Sequence, residues 1–193
     1  MSFLNKIAEA GSVRLSRRRF MKASALAAMA GICPCPCFAA LRGRLLSERK
    51  LAFFNTHTGE SLEAVYWSNG KYVSQAITKI DHILRDHRTN EIKPIDIRLL
   101  NLLSAVAMKF ELQQPFHIIS GYRSQQTNAF LRQCGKGVAK NSLHMQGKAA
   151  DIRLPDVQLA SLRQAAVTLK GGGVGYYPRS NFVHIDVGRI RYW

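Results

Sequence analysis

The chain has 193 residues, 47% of them hydrophobic, which is enough for one ordinary globular core and too few for two catalytic domains. Its formal net charge of +16 raises encounter rates with polyanions without choosing among nucleic acid, anionic lipid and anionic wall polymer. Three of its four cysteines, Cys33, Cys35 and Cys37, lie in the first forty residues, so Cys134 alone remains beyond them and an internal disulfide there is excluded.

Residues 1–39 read as an address. Ser16-Arg17-Arg18-Arg19-Phe20-Met21-Lys22 is a twin-arginine motif, followed by the uncharged stretch Ala23 to Ile32 and small residues ending at Ala39. The apolar run is about ten residues, half of what a membrane span needs. The expectation is a cleavable twin-arginine signal, a periplasmic or cell-envelope location, and no stable membrane insertion after cleavage. Alternation of Cys33, Cys35 and Cys37 with Pro34 and Pro36 at the end of a signal makes a thiolate metal site unnecessary. Residues 40–193 keep a net charge of +11. Export argues against nucleic acid as the partner, and a generally basic surface without a particular partner is the alternative.

Periodicity then predicts an α+β domain, without repeats, over residues 40–193. Leu51 to Phe54 and Leu62 to Trp67 form a hairpin around the polar turn Thr56 to Glu60. Ile77, Ile80, Leu84 and His87 fall at helical spacing, as do Leu99, Leu103, Val106 and Phe110. Phe116 to Ser120 reads as a short buried strand, and Gln125 to Cys134 as a helix. A last helix is expected over Asp156 to Leu169, opened by Pro155 and an acidic first turn, and ended by Gly171-Gly172-Gly173. Strands are expected at Ala149 to Leu154, Gly173 to Tyr177 and Phe182 to Val187. Helices early and short strands late favour a small, mostly antiparallel sheet with helices packed on it.

Four of the six histidines have unremarkable readings. His82 and His87 sit in the middle of a charged helix, His57 lies in a turn and His117 adjoins an apolar strand, all structural or solvated. His144 and His184 differ. His144 occupies a loop seven positions before Asp151, with Gly147 as a pivot that lets both side chains aim at one spot. In Phe182-Val183-His184-Ile185-Asp186-Val187, period two sends Val183, Ile185 and Val187 to the core and Phe182, His184 and Asp186 to the other face. Two histidines and a carboxylate suffice for catalytic zinc with one position left to water. A surface His-Asp pair is the alternative.

Ser120-Gly121-Tyr122-Arg123-Ser124, the His144 and Asp151 pair, Gly173-Val174-Gly175-Tyr176-Tyr177 and Phe182 to Asp186 occur in an order that resembles a known family. It is that of the zinc peptidases including D-alanyl-D-alanine carboxypeptidases and phage murein endopeptidases, and within it the MepK-like murein endopeptidases. The resemblance extends to Asn55-Thr56-His57-Thr58-Gly59-Glu60 and to the twin-arginine signal. It implies a hedgehog/D-Ala-D-Ala peptidase-like fold with a zinc site in a cleft, Zn2+ held by His144, Asp151 and His184, and Arg123 binding substrate or the developing oxyanion. It further implies peptidoglycan cross-link peptides, involving D-amino acids and diaminopimelate, as substrate.

Many relatives carry a carboxylate three residues before the last ligand, or a histidine two before it. Here Asn181 and Phe182 stand in those places, and neither accepts a proton. Asp186, about 6.5 Å along the strand from His184, then has two readings: general base, or a partner that orients His184 through its second ring nitrogen. Tyr176 and Tyr177 read as packed sheet aromatics. The expected function is a monomeric murein endopeptidase; the alternatives are a D-alanyl carboxypeptidase on the same scaffold and a non-catalytic, zinc-containing wall-binding module.

Overall fold

The computed structural model describes residues 48–111, 114–135 and 138–193. The signal assigned to residues 1–39, with Cys33, Cys35 and Cys37, lies outside the described residues. Among the described residues no helix is long and apolar enough to cross a membrane.

The chain forms an α+β fold with a mixed eight-stranded sheet and, among the described residues, four α-helices. β1 (Arg49–Asn55) and β2 (Ser61–Ser68) make the expected antiparallel hairpin, extended by the two-residue β3 (Lys71–Tyr72). α1 (Ser74–Ile83) and α2 (Ile97–Lys109) follow, then β4 (Phe116–Ser120), α3 (Gln125–Cys134), β5 (Ala149–Arg153), α4 (Leu159–Leu169), β6 (Gly173–Tyr177), β7 (Phe182–Asp186) and β8 (Arg191–Tyr192). The sheet order is β3-β2-β1-β4-β5-β7-β6-β8, with β1–β4 and β6–β8 parallel and the other five pairs antiparallel.

Alternation decides which face is which. Leu51 and Phe53 on β1, Phe116 and Ile118 on β4, Ala150 and Ile152 on β5, and Val183 and Ile185 on β7 enter one core, joined by Leu99, Leu103 and Val106 of α2 and Leu162 of α4. The opposite face of β5 and β7 therefore carries Asp151, His184 and Asp186. A bulge in β4 completes the row: Ile118 pairs with Ile152 but Ser120 pairs with Asp151, so one extra residue turns Ser120 onto the Asp151 face.

Two helices are shorter than their periodicity predicts. α1 stops at Ile83, so His87 lies in the following loop and not in the middle of a helix, and His82 sits in the last turn. Asp86 competes with the helix here: its carboxylate accepts from the Arg88 backbone N–H (2.9 Å) and its carbonyl from Asn90 (2.7 Å), closing a separate turn. α4 begins at Leu159, because Pro155 and Asp156 are spent on a turn that brings the Val157 N–H to the Leu154 carbonyl (3.3 Å). No acid lies in its first turn, and Lys170, at φ 52°, takes the left-handed position that the glycine run was expected to supply. Those glycines serve packing instead: a Cβ at Gly173 would run into the Asp186 carboxylate.

Candidate metal centre

Register places the centre. Asp151 on β5 lies directly opposite His184 on β7, so adjacent strands present the two side chains side by side. His144 arrives from a single 3-10 turn, Leu143–Gln146, and not from an open loop. Ser142 caps that turn, and Gly147, at φ 65°, reverses the chain into β5.

The Ser120 to Ser124 motif locks this turn in place. The Tyr122 N–H bonds the Leu84 carbonyl (2.7 Å), the Arg123 N–H the His144 carbonyl (3.2 Å), and the Ser124 N–H the Asp86 carboxylate (2.8 Å). Ser124 Oγ then accepts from Thr127 and starts α3. Gly121 is demanded by the tight approach, since a Cβ there would strike the Leu84 carbonyl oxygen.

The hydrogen bonds around the rings fix their tautomers. His144 Nδ1–H donates to the Gly121 carbonyl (2.7 Å), which leaves Nε2 as a lone pair. His184 Nε2–H donates to Asp186 Oδ2 (3.0 Å), so that in the neutral ring Nδ1 is the lone pair. Those two nitrogens and Asp151 Oδ1 form a triangle with edges of 3.1, 3.2 and 2.8 Å. With both imidazoles neutral, three buried acceptors converge, a demand for positive charge that a metal ion at the centre would meet and that a proton on His184 meets without one. A tetrahedral ion with ligands at roughly 2.0–2.1 Å holds them about 3.3 Å apart. The triangle fits it.

Titration states the same demand. Burial opposes a charged His184, but the carboxylates of Asp151 and Asp186 outweigh it and push its pKa up to about 9. Burial would raise Asp151, yet His144 and His184 hold its carboxyl well below the usual range.

Asp186 is fully buried and fully engaged. Beyond His184 it accepts from the backbone of Gly173 (3.1 Å) and Gly188 (2.8 Å), and from Arg191 Nη2 (2.7 Å). Arg123 is also largely buried. Its Nη2 lies 3.6 Å from Asp151 Oδ2 and 3.4 Å from Ser120 Oγ, while its Nε is buried without a partner among the described residues. All five candidates therefore meet in one place, three as the acceptor triangle and Asp186 and Arg123 on opposite sides of it.

A model of the family described as peptidoglycan L,D-endopeptidase MepK matches residues 45–193. The chain is 42% identical to the peptidoglycan L,D-endopeptidase MepK of Escherichia coli K12 over 178 residues, 92% of this chain and 97% of that protein. It is equally similar to the Shigella flexneri MepK. A probable MepK from Haemophilus influenzae is 40% identical over 146 residues, 75% of this chain and 78% of that protein. The chain belongs to the MepK family.

In this MepK-family chain the triangle opens into a cleft of about 770 Å³. One wall is aromatic. Tyr177 stacks on Phe182 (4.6 Å), and the Trp193 indole lies 5.4 Å from the His184 ring, seated over Gly175 and bonded to the Tyr177 hydroxyl (2.8 Å). Tyr177 thus lines the cleft, whereas Tyr176 is packed against the core beneath Arg163. The other wall is basic, with His57, His87, Arg88 and Arg123. Sequence reasoning left His57 and His87 as structural or solvated; their rings are stacked 3.8 Å apart at the cleft. The signal that could have found His57 was its place in the Asn55 to Glu60 motif. Arg88, Arg191 and Trp193 stand in no motif, and only the loop after α1 and the parallel β6–β8 pairing bring them in.

Proposed function

We propose that this protein is a zinc-dependent murein endopeptidase that hydrolyses peptide cross-links, with His144, Asp151 and His184 holding the metal. The single observation that carries the reading is the triangle of buried acceptors, with edges of 2.8 to 3.2 Å, lying open to a cleft. Family membership supports the substrate class, since the relatives are named as peptidoglycan L,D-endopeptidases. The same reading makes the protein an exported monomer, carried by the twin-arginine route and acting in the envelope after loss of residues 1–39, on a hedgehog/D-Ala-D-Ala peptidase-like scaffold.

Zinc bound there would polarise the scissile carbonyl and make a water nucleophilic at neutral pH. The chain's own groups do the rest. Gly121 and Asp186 hold the two imidazoles in the tautomers that aim lone pairs inward. Arg123, its guanidinium held beside Asp151 and incompletely bonded, is aimed to receive the negative charge that develops on the carbonyl oxygen. Asp186 acts as a positioning residue in this account, not as the proton acceptor, because its oxygens already serve His184, Arg191 and two backbone N–H groups.

The test is to incubate the purified protein with defined cross-linked muropeptide dimers, with and without chelator. Conversion of dimers to monomers that chelator abolishes is the expected result. Release of free D-alanine alone would make the protein a carboxypeptidase, and intact dimers throughout would leave a wall-binding module.

A further inference from the structure

The basic wall of the cleft is built more firmly than its loops require. Asn55 donates to the Ile83 carbonyl (3.0 Å) at the end of α1, and its Oδ1 accepts from the backbone of His57 (3.0 Å) and Thr58 (3.3 Å). Arg85 clasps Glu60 with both terminal nitrogens (2.8 and 3.2 Å), tying the β1–β2 turn to the loop after α1. His57 donates to the Ile119 carbonyl (3.1 Å) and lies flat against His87, their planes 9° apart. Arg88 follows directly, its backbone fixed by Asp86.

The charges on this wall are unbalanced. Arg191 at the far side is neutralised by Asp186 (2.7 Å), and Asp151 belongs to the acceptor triangle. Arg123 has only the 3.6 Å contact with Asp151, and no carboxylate pairs with the Arg88 side chain among the described residues. Both guanidinium-bearing residues line the one cleft, together with His57 and His87. Burial, reinforced by His57, also takes His87 down to about 4, so the stacked ring is neutral at neutral pH and does not add to the repulsion. Two like charges lining one cleft beside a flat pair of stacked rings call for an anionic ligand.

We propose that Arg88, which lines the cleft with Arg123 and the His57–His87 stack, forms a subsite for a free carboxylate of the peptide beside the scissile bond. The inference rests on the endopeptidase reading and deepens it: Arg88 becomes a specificity-determining residue that separates free-acid from amidated cross-links. A planar fork suits a carboxylate better than an ammonium does, so Arg88→Lys is expected to keep part of the effect and Arg88→Gln none.

Two measurements test it on the purified protein and both variants. The first is kcat/KM for cross-linked dimers whose diaminopimelate carboxylates are free or amidated. The second is calorimetric binding of the tripeptide ending in diaminopimelate, free or amidated. Wild type is expected to favour the free acid by about 10- to 100-fold, in kcat/KM and in Kd, and Arg88→Gln to bring both ratios close to one. Equal binding of acid and amide by wild type, or ratios unchanged in Arg88→Gln, would overturn the subsite. Cleavage of both dimers with no preference leaves the endopeptidase reading standing and removes the subsite. Binding of the free-acid tripeptide that depends on Arg88, without cleavage of either dimer, does the reverse.

Discussion

At the scale of single residues, the centre depends on groups that would never touch a metal. Asp186 sets the tautomer of His184 and is itself held by Arg191 and by the close approach of Gly173. Asp186→Asn keeps the shape but places an amide where a carboxylate accepted four donors. Zinc affinity of that variant, measured by competition with a chromogenic chelator, is expected to fall about 10- to 100-fold. Unchanged affinity would remove Asp186 from the positioning role.

At the scale of elements, the centre is a junction between the loop after α1, the Ser120 to Ser124 segment and the turn bearing His144. Gly121→Ala would force that junction apart at the Leu84 carbonyl, and a cost of about 1–3 kcal/mol in urea unfolding, with loss of activity, is expected. Asp86 gives the junction a pH dependence. Burial opposes its charge, but bonds from Thr127, Ser124 and Arg88 lower its pKa from 3.8 to about 2. Because the folded value lies below the unfolded one, its contribution is present above pH 3.8 and is lost as pH falls through 2. That contribution is about 2 kcal/mol, and Asp86→Asn should flatten the acid limb of a denaturation series by that amount.

Much of this level was legible in the sequence. The β1–β2 hairpin, β4, α3 and β6 fall where turn residues and periodicity put them, because those segments follow local rules. The phase of β7 gave the faces of Val183, His184 and Ile185 correctly for the same reason. The misreadings lie where a side chain competes with the backbone. Asp86 ends α1 before His87, and Pro155 and Asp156 form a turn ahead of α4, neither of which a periodicity of apolar residues reveals. The bulge that turns Ser120 and the parallel β6–β8 pairing that brings in Trp193 are tertiary choices with no local signature.

At the scale of the whole molecule, eight strands in one sheet put a basic wall and an aromatic wall on either side of the acceptor triangle. A metal held at this centre would couple to stability, because an ion that binds only the folded chain stabilises it by mass action. With zinc at about a thousand times its Kd the gain is about 4 kcal/mol, so chelation is expected to lower the melting temperature by about 10 °C. A melting curve indifferent to chelator would count against a metal at this site.

The most direct test of the central claim is the zinc content of purified wild type and of the His144→Ala, Asp151→Ala and His184→Ala variants, by elemental analysis after exhaustive dialysis. One zinc per chain in wild type, and little or none in each variant, is the result this account predicts. A full complement of zinc in the folded variants, or none in wild type purified without chelator and dialysed against zinc, would contradict it.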